Sequence, residues 1–364
     1  MNEKVFIFGM MLTVLLPCVL PFAFNVVPVN ANLTEVYSPT DMDPYFTMNA
    51  IVTIDPLNPL MRVQIMRFMA QNLADVGVEV YLHLIEWAEV VNRTFFSGKL
   101  FDEGGYDVST HGRDFSTSPE VYPSTASAIA QMMHAMYHSS NILGSGGLNL
   151  FMWNNTENDA LLDAAVASTN EAETESLLYE WQVLFHEEQP SAIVCYEMHS
   201  FKGFSKLDFN MLHPVFGTGI DTPLGEMEPL RAAEAAKYVR QAISHTIDRE
   251  WFVLNLLTEW QPAEPGITPI LPDWPGFNPS LEPYSLNLTE AKRLLRLAGY
   301  ALCTDLNKDG TVNIVDITIV AVAWSPEGTT PENPNWNPTA DVDKNGIINI
   351  IDIATVARDY GKTT

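Results

Sequence analysis

The chain has 364 residues, 47% of them apolar, which is enough for two or three domains with buried cores. Its 45 acidic against 19 basic side chains give a formal charge of −26. That balance excludes a nucleic-acid or anionic-membrane surface and favours cationic partners.

The first 31 residues read as a targeting segment. A short charged start, "MNEK", precedes an uncharged run from Val5 to Phe24, and Ala31 is a small residue suited to a cleavage site. The run is also long enough for an uncleaved membrane anchor, although Pro17 and Pro21 disfavour a smooth helix there. Either way the chain is exported: secreted, or displayed on the cell surface. Residues 32–59 are polar and proline-containing and read as a linker or N-terminal segment closed by the turn "IDPLNP".

From residue 60 the periodicity is regular. Ile65, Met69, Leu73 and Val76 recur at helical spacing and Gly77 ends the helix. "VEVYLHLIEW" alternates as a strand, "AEVVNRTFFSGKL" follows as a helix and "YDVSTHG" as another strand. This strand–helix–strand unit predicts a parallel pair with a right-handed crossover. Two helices are predicted within 157–188, ended by Pro190, and "SAIVCYEM" resumes a strand. Ala236, Val239, Ile243 and Ile247 mark one helical face, "DREWFVLNLL" continues it, and a proline-rich interruption leads to the helix "NLTEAKRLLRLAG". The sum is a mixed α/β domain over 60–300 and something different over 301–364.

That final part holds two copies of one pattern, "DLNKDGTVNIVD" from 305 and "DVDKNGIINIID" from 341. Oxygen-bearing residues at alternate positions and a glycine at the sixth are what a calcium loop needs, since the glycine permits the left-handed turn around the ion. The inferred ligands of the first loop are Asp305, Asn307, Asp309, the Thr311 carbonyl, Asn313 (directly or through water) and Asp316. Those of the second are Asp341, Asp343, Asn345, the Ile347 carbonyl, Asn349 and Asp352, so two Ca2+ ions are expected. Val312 and Ile348 are placed as an inward-facing link between the loops. The twelfth residue is Asp where Glu is usual, which requires a tighter loop. Neither "LAGYALCT" nor "NPNWNPTA" can be an entering helix, so each unit is a loop followed by a helix.

Duplicated loop–helix units at a C-terminus resemble a type I dockerin, a small all-α calcium-binding module that plugs into a cohesin domain. The resemblance implies that Ile314, Val315, Ile350 and Ile351 meet the partner, although the family commonly has a hydroxyl pair there. Within 60–300, "YVRQAISHTIDREWFV", the proline-rich loop with its "AGY" ending, "LADVGVEVYLHLIEW" and "YDVSTHGRDF" are similar to family 5 extracytoplasmic solute-binding proteins of ABC importers. Here the "AGY" segment follows the "GVEV" segment, the reverse of the family order, over about half the customary length. The resemblance implies an incomplete class II periplasmic-binding-protein-like α/β domain that binds a peptide or oligosaccharide-class ligand and works with an importer permease. It also implies that Asp114 holds a cationic ligand end by a charge-assisted hydrogen bond; a turn or helix cap is the competing role. Trp87, Trp153 and Tyr122 serve either a cleft or the core.

Catalytic signatures of the G-x-S-x-G and H-E-x-x-H kind do not occur, and "GSGG" at 144–147 lacks a phosphate-loop lysine. His134 and His138 are four apart on a predicted helix, but no nearby third ligand completes a metal site. Cys18 lies in the leader, which leaves Cys195 and Cys303 as a possible pair. Sequons stand at Asn32, Asn92, Asn154 and Asn287, the last also in a helix-capping context. Binding therefore outranks catalysis. The alternatives are a polysaccharide-degrading enzyme displayed by the dockerin, and a structural surface protein.

Overall fold

The computed structural model describes residues 33–362 apart from residue 41 and the stretches 55–58, 117–122, 143–147, 199–200, 256–262, 301–303 and 343–345, and the side chains of 59–61, 111–116, 197–198 and 201–202 are likewise outside the description. The leader, Cys18, Cys303, Asn32, Tyr122, the glycines of 144–147, Asp343 and Asn345 lie outside the described residues. Among the described residues no helix is long and apolar enough to cross a membrane.

Seven strands form one mixed sheet: β1 (Leu33–Tyr37), β2 (Phe46–Thr53), β3 (Val78–Ile85), β4 (Val108–Ser116), β5 (Ser191–Met198), β6 (Phe201–Phe209) and β7 (Ala263–Pro265), in the order β1-β3-β2-β4-β6-β5-β7. β2 runs parallel to both β3 and β4, and every other pairing is antiparallel. The strands β3 and β4 are thus parallel but not neighbours, because β2 lies between them. This corrects the expected adjacent pair. The adjacent strand–helix–strand unit is β2, α1 (Pro59–Asp75), β3.

β2 falls within the segment read as linker, and its reason for pairing is tertiary. Met48, Ala50 and Val52 face one core while Ile51 faces another, so the strand is covered on both sides and shows little alternation. Its one mid-strand polar side chain is satisfied: Asn49 Nδ2 donates to Asp107 Oδ2 at 3.0 Å, and Asn49 Oδ1 meets His83 Nε2 at 3.1 Å. The predicted stripe is buried as expected, Ile65, Met69 and Leu73 within α1 and Val76 just past its end. Gly77 then turns with φ +97°, and a Cβ there would stand 2.6 Å from the Tyr45 ring.

One sheet face packs against α1 and against α7 (Ala232–Ser244), α8 (Arg249–Asn255) and α9 (Leu288–Leu297). The other is divided. α2 (Trp87–Phe95) covers the β2 end through Val90, and α3 (Ala126–Tyr137), α4 (Thr156–Ala167) and α5 (Glu171–Glu188) cover the β5–β6 end. A short α6 (Pro223–Met227) precedes α7. Trp153 is core in this second layer, whereas Trp87 is partly exposed. Trp181 Nε1 donates to Asn158 Oδ1 at 2.8 Å, so the indole is buried with its polar handle paired. Gln182 donates to Gly276 O at 2.6 Å and accepts from Thr268 Oγ1 at 2.9 Å, tying the proline-rich loop to α5.

Three histidines, the buried His213 and the half-buried His186 and His245, are each pushed below the ordinary 6.5, mainly by loss of solvent around the ring. A base with a depressed folded-state pKa binds fewer protons than in the unfolded chain, so it contributes stability above pH 6.5 that is lost as pH falls. The melting temperature is therefore expected to drop between pH 7 and pH 5, each tenfold difference in proton affinity being worth about 1.4 kcal/mol. Calorimetry on the protein and on His186→Gln tests this: the variant should show a shallower slope.

Candidate functional site

Residues 304–362 fold around their own small core of Val312, Val320, Ala323, Ala340, Ile348 and Val356. Two helices leave the acidic loops, α10 (Ile314–Ala323) and α11 (Ile350–Arg358). The module closes on itself end to end: Val312 N donates to Lys362 O at 3.0 Å, Gly361 N to Val312 O at 2.8 Å, and Thr304 Oγ1 to Asp359 Oδ2 at 3.0 Å. Val312 and Ile348 are both buried as expected, but their backbones do not pair with each other. Ile348 exchanges hydrogen bonds with Thr329 instead, at 2.8 and 2.9 Å. The link between the loops is made by side-chain packing.

In the first loop Gly310 takes φ +90° and its N–H reaches Asp305 Oδ2 at 2.8 Å. Asn307, Asp309, Thr311 and Asn313 are drawn together by bonds of Asn307 Nδ2 and Asn313 Nδ2 to Asp309 Oδ2 (2.8 and 3.3 Å) and of Asn313 Nδ2 to Thr311 O (3.0 Å). The second loop repeats the framework: Gly346 N to Asp341 Oδ2 at 2.9 Å and Asn349 Nδ2 to Ile347 O at 3.2 Å.

The structure adds a role that the spacing did not reveal. Asn313 and Asp316, like Asn349 and Asp352, form capping boxes, with each Asn side chain taking a helix N–H and each Asp taking the Asn backbone N–H at 2.8 Å. Asp316 Oδ1 also accepts from Leu306 N and Asn307 N, so the twelfth position anchors the loop start and the helix start together. An Asx at the ninth position and an acid three later was a legible capping signal.

Asp305 Oδ1 is buried without a hydrogen-bond partner among the described residues. Burial, and after it the nearby Asp316 and Asp309 charges, pushes the Asp305 carboxyl up. An all-oxygen cradle with a buried, unsatisfied carboxylate oxygen at its first position fits a hard cation.

At the start of the two helices Ile314, Val315, Ile350 and Ile351 are all exposed, by 62, 46, 62 and 56%. The first loop also leans on α9, where Arg296 lies over Gly310. Between them is a cleft of about 510 Å³ lined by Asp75, Leu288, Thr289, Lys292, Arg296, Asp309, Gly310 and Thr311.

In the α/β region Asp114 lies on β4, opposite Gly203 of β6. Its side chain is outside the described residues, as is the stretch 117–122 that follows the strand. Sequence reasoning missed an ion pair nearby on β6. Lys206 Nζ stands 2.9 Å from Asp208 Oδ1 and 4.1 Å from the centre of the Phe151 ring, and both charged side chains are buried. Their spacing of two puts them on one face of the strand, toward the α3–α5 layer. The expectation for His134 and His138 is also corrected: Asp163 of α4 joins them as a third potential ligand, and His138 is the residue just after α3. Cys195 is buried in β5. Asn287 caps α9 by accepting from Glu290 N at 3.0 Å.

A family model described as bacterial extracellular solute-binding proteins, family 5 middle, matches residues 203–341, from β6 through α9 to the start of the second acidic loop. The match spans less than half of the chain. It supports a solute-binding reading of the mixed α/β fold, an extracellular location and the involvement of an ABC importer. No curated protein and no solved structure matches the chain.

Proposed function

We propose that the chain is an exported solute-binding protein carrying a C-terminal calcium-dependent dockerin. The α/β domain takes a peptide or oligosaccharide-class ligand in association with an importer, and the dockerin attaches it to a cohesin-bearing surface or complex. The family match over 203–341 supports the binding half of this reading and favours binding over catalysis. The observation that carries the docking half is the Asp305 oxygen, buried and unpartnered in a loop whose hydrogen-bond framework recurs from residue 341.

In this reading Asp305, Asn307, Asp309, Thr311, Asn313 and Asp316 hold one Ca2+, and Asp341, Asp343, Asn345, Ile347, Asn349 and Asp352 hold the other. The ions neutralise converging carboxylates and so fix the angle at which α10 and α11 leave the loops. Ile314, Val315, Ile350 and Ile351 form the contact surface. Four exposed β-branched side chains at two helix starts are an apolar anchor set for a partner.

The test is calorimetric titration of a cohesin panel in calcium and in chelator. Binding is expected only in calcium. The double variant Ile314→Asp and Ile350→Asp should weaken it by roughly 2–4 kcal/mol while leaving calcium uptake intact. Calcium-independent binding, or an unaffected double variant, overturns the docking assignment. For the other half, thermal-shift screening against peptides and oligosaccharides should find a stabilising ligand, with Asp114→Asn selectively weakening ligands that bear a cationic end.

A further inference from the structure

A second kind of metal site stands apart from the acidic loops, at the junction of α3 and α4. His134 occupies the last turn of α3, His138 follows it in extended conformation, and Asp163 projects from α4. Asp163 Oδ1 lies 3.2 Å from His134 Nε2 and 3.4 Å from His138 Nε2, and one ligand atom from each of the three residues falls within 4.8 Å of the others. Ligand atoms about 2.0–2.1 Å from a tetrahedral ion stand about 3.3 Å apart, so the two measured edges already match that geometry.

A second observation is independent of this spacing. His138 Nε2 is buried and, among the described residues, has no hydrogen-bond partner, although it faces Asp163 and, at 3.9 Å, Asp159. The opposite side of the ring is held: Nδ1 takes Ser140 N–H at 3.0 Å and lies 2.8 Å from Ser140 Oγ. An ion at Nε2 requires the ring proton on Nδ1, so loading the site exchanges the Ser140 N–H contact for donation from Nδ1–H to Ser140 Oγ. Asp159 braces the corner, its Oδ1 accepting from Ser139 N at 2.9 Å and from Asn158 Nδ2 at 2.9 Å. His134 and His138 stack at 4.2 Å with 17° between their planes, and the Nε2 atoms of both rings converge on the same Asp163 oxygen.

We propose that His134 Nε2, His138 Nε2 and Asp163 Oδ1 bind one first-row divalent ion of the zinc class, with a fourth position open to solvent. Two imidazoles and one carboxylate suit such a borderline ion, whereas calcium prefers oxygen alone. The site therefore differs in chemistry from the acidic loops and clips α3 to α4 on the far side of the sheet from α9.

The test uses the untagged full chain saturated with calcium, so that the acidic loops do not compete. Zinc titration by calorimetry is expected to show one ion per chain, and cobalt(II) substitution should give the visible absorption of a four-coordinate site. His134→Ala and Asp163→Asn, both at accessible side chains, should each weaken zinc at least about tenfold while melting like the wild type in the absence of zinc. Absence of zinc uptake, or uptake unchanged in both variants, overturns the proposal and leaves a hydrogen-bonded corner only.

Discussion

Replacing Asp305 and Asp341 together by alanine is expected to abolish calcium uptake by residues 304–362 and to leave that module as loose as chelation leaves the wild type. Each of these first-position carboxylates takes the N–H of its loop's glycine, Gly310 at 2.8 Å and Gly346 at 2.9 Å, so each fixes the turn and offers an oxygen to the ion. A site at a hundredfold excess of calcium over its dissociation constant adds about 2.7 kcal/mol to the folded state, and two such sites are proposed for this module. Its core of six buried apolar side chains is small, so the proposed ions would form a large share of its stability. Hydrogen exchange read separately on α10 and α11 and on the strands checks this. Chelator should deprotect the helices strongly and the sheet little, and the double variant should be insensitive to calcium. Equal protection with and without calcium contradicts the assignment.

Lys206→Met is expected to cost about 3–5 kcal/mol, because it removes the cation 2.9 Å from the buried Asp208 carboxylate. The double variant Lys206→Met with Asp208→Leu should recover most of that loss, since an apolar pair of similar volume avoids the desolvation cost of both ions. Denaturant unfolding of the two variants measures the coupling. If the single variant is as stable as the double, the pair contributes nothing and Asp208 is satisfied by other groups.

How much was readable in the sequence varied with how local the determinants are. The helices α1, α4, α5, α7 and α9 were legible because their apolar faces repeat within one element, and Gly77 and Gly299, both at positive φ, mark two of their ends. The acidic loops were legible for the same reason, each ring being closed within twelve residues. β2 was not, because its identity as a central strand depends on being covered from both sides by distant elements. Non-adjacency of β3 and β4 follows from that omission. The third partner of His134 and His138 was invisible because Asp163 lies 29 residues from His134 on another helix. The Lys206–Asp208 pair alternates with apolar residues as a solvent-facing strand edge would, and only the helical layer above it shows that the face is buried.

The two loops are near copies in sequence but not in surroundings. At Gly310 an added methyl would meet Arg296 Nη1 at 2.5 Å, whereas at Gly346 it would meet nothing within 4 Å. If these loops hold calcium as proposed, the Arg296 guanidinium beside the first ring repels an arriving cation and narrows its way in and out, whereas among the described residues no side chain stands in that position beside Gly346. Filling and emptying should consequently proceed at unlike speeds, the later loop responding first to a rise in calcium and the earlier one retaining its charge longest when calcium is withdrawn.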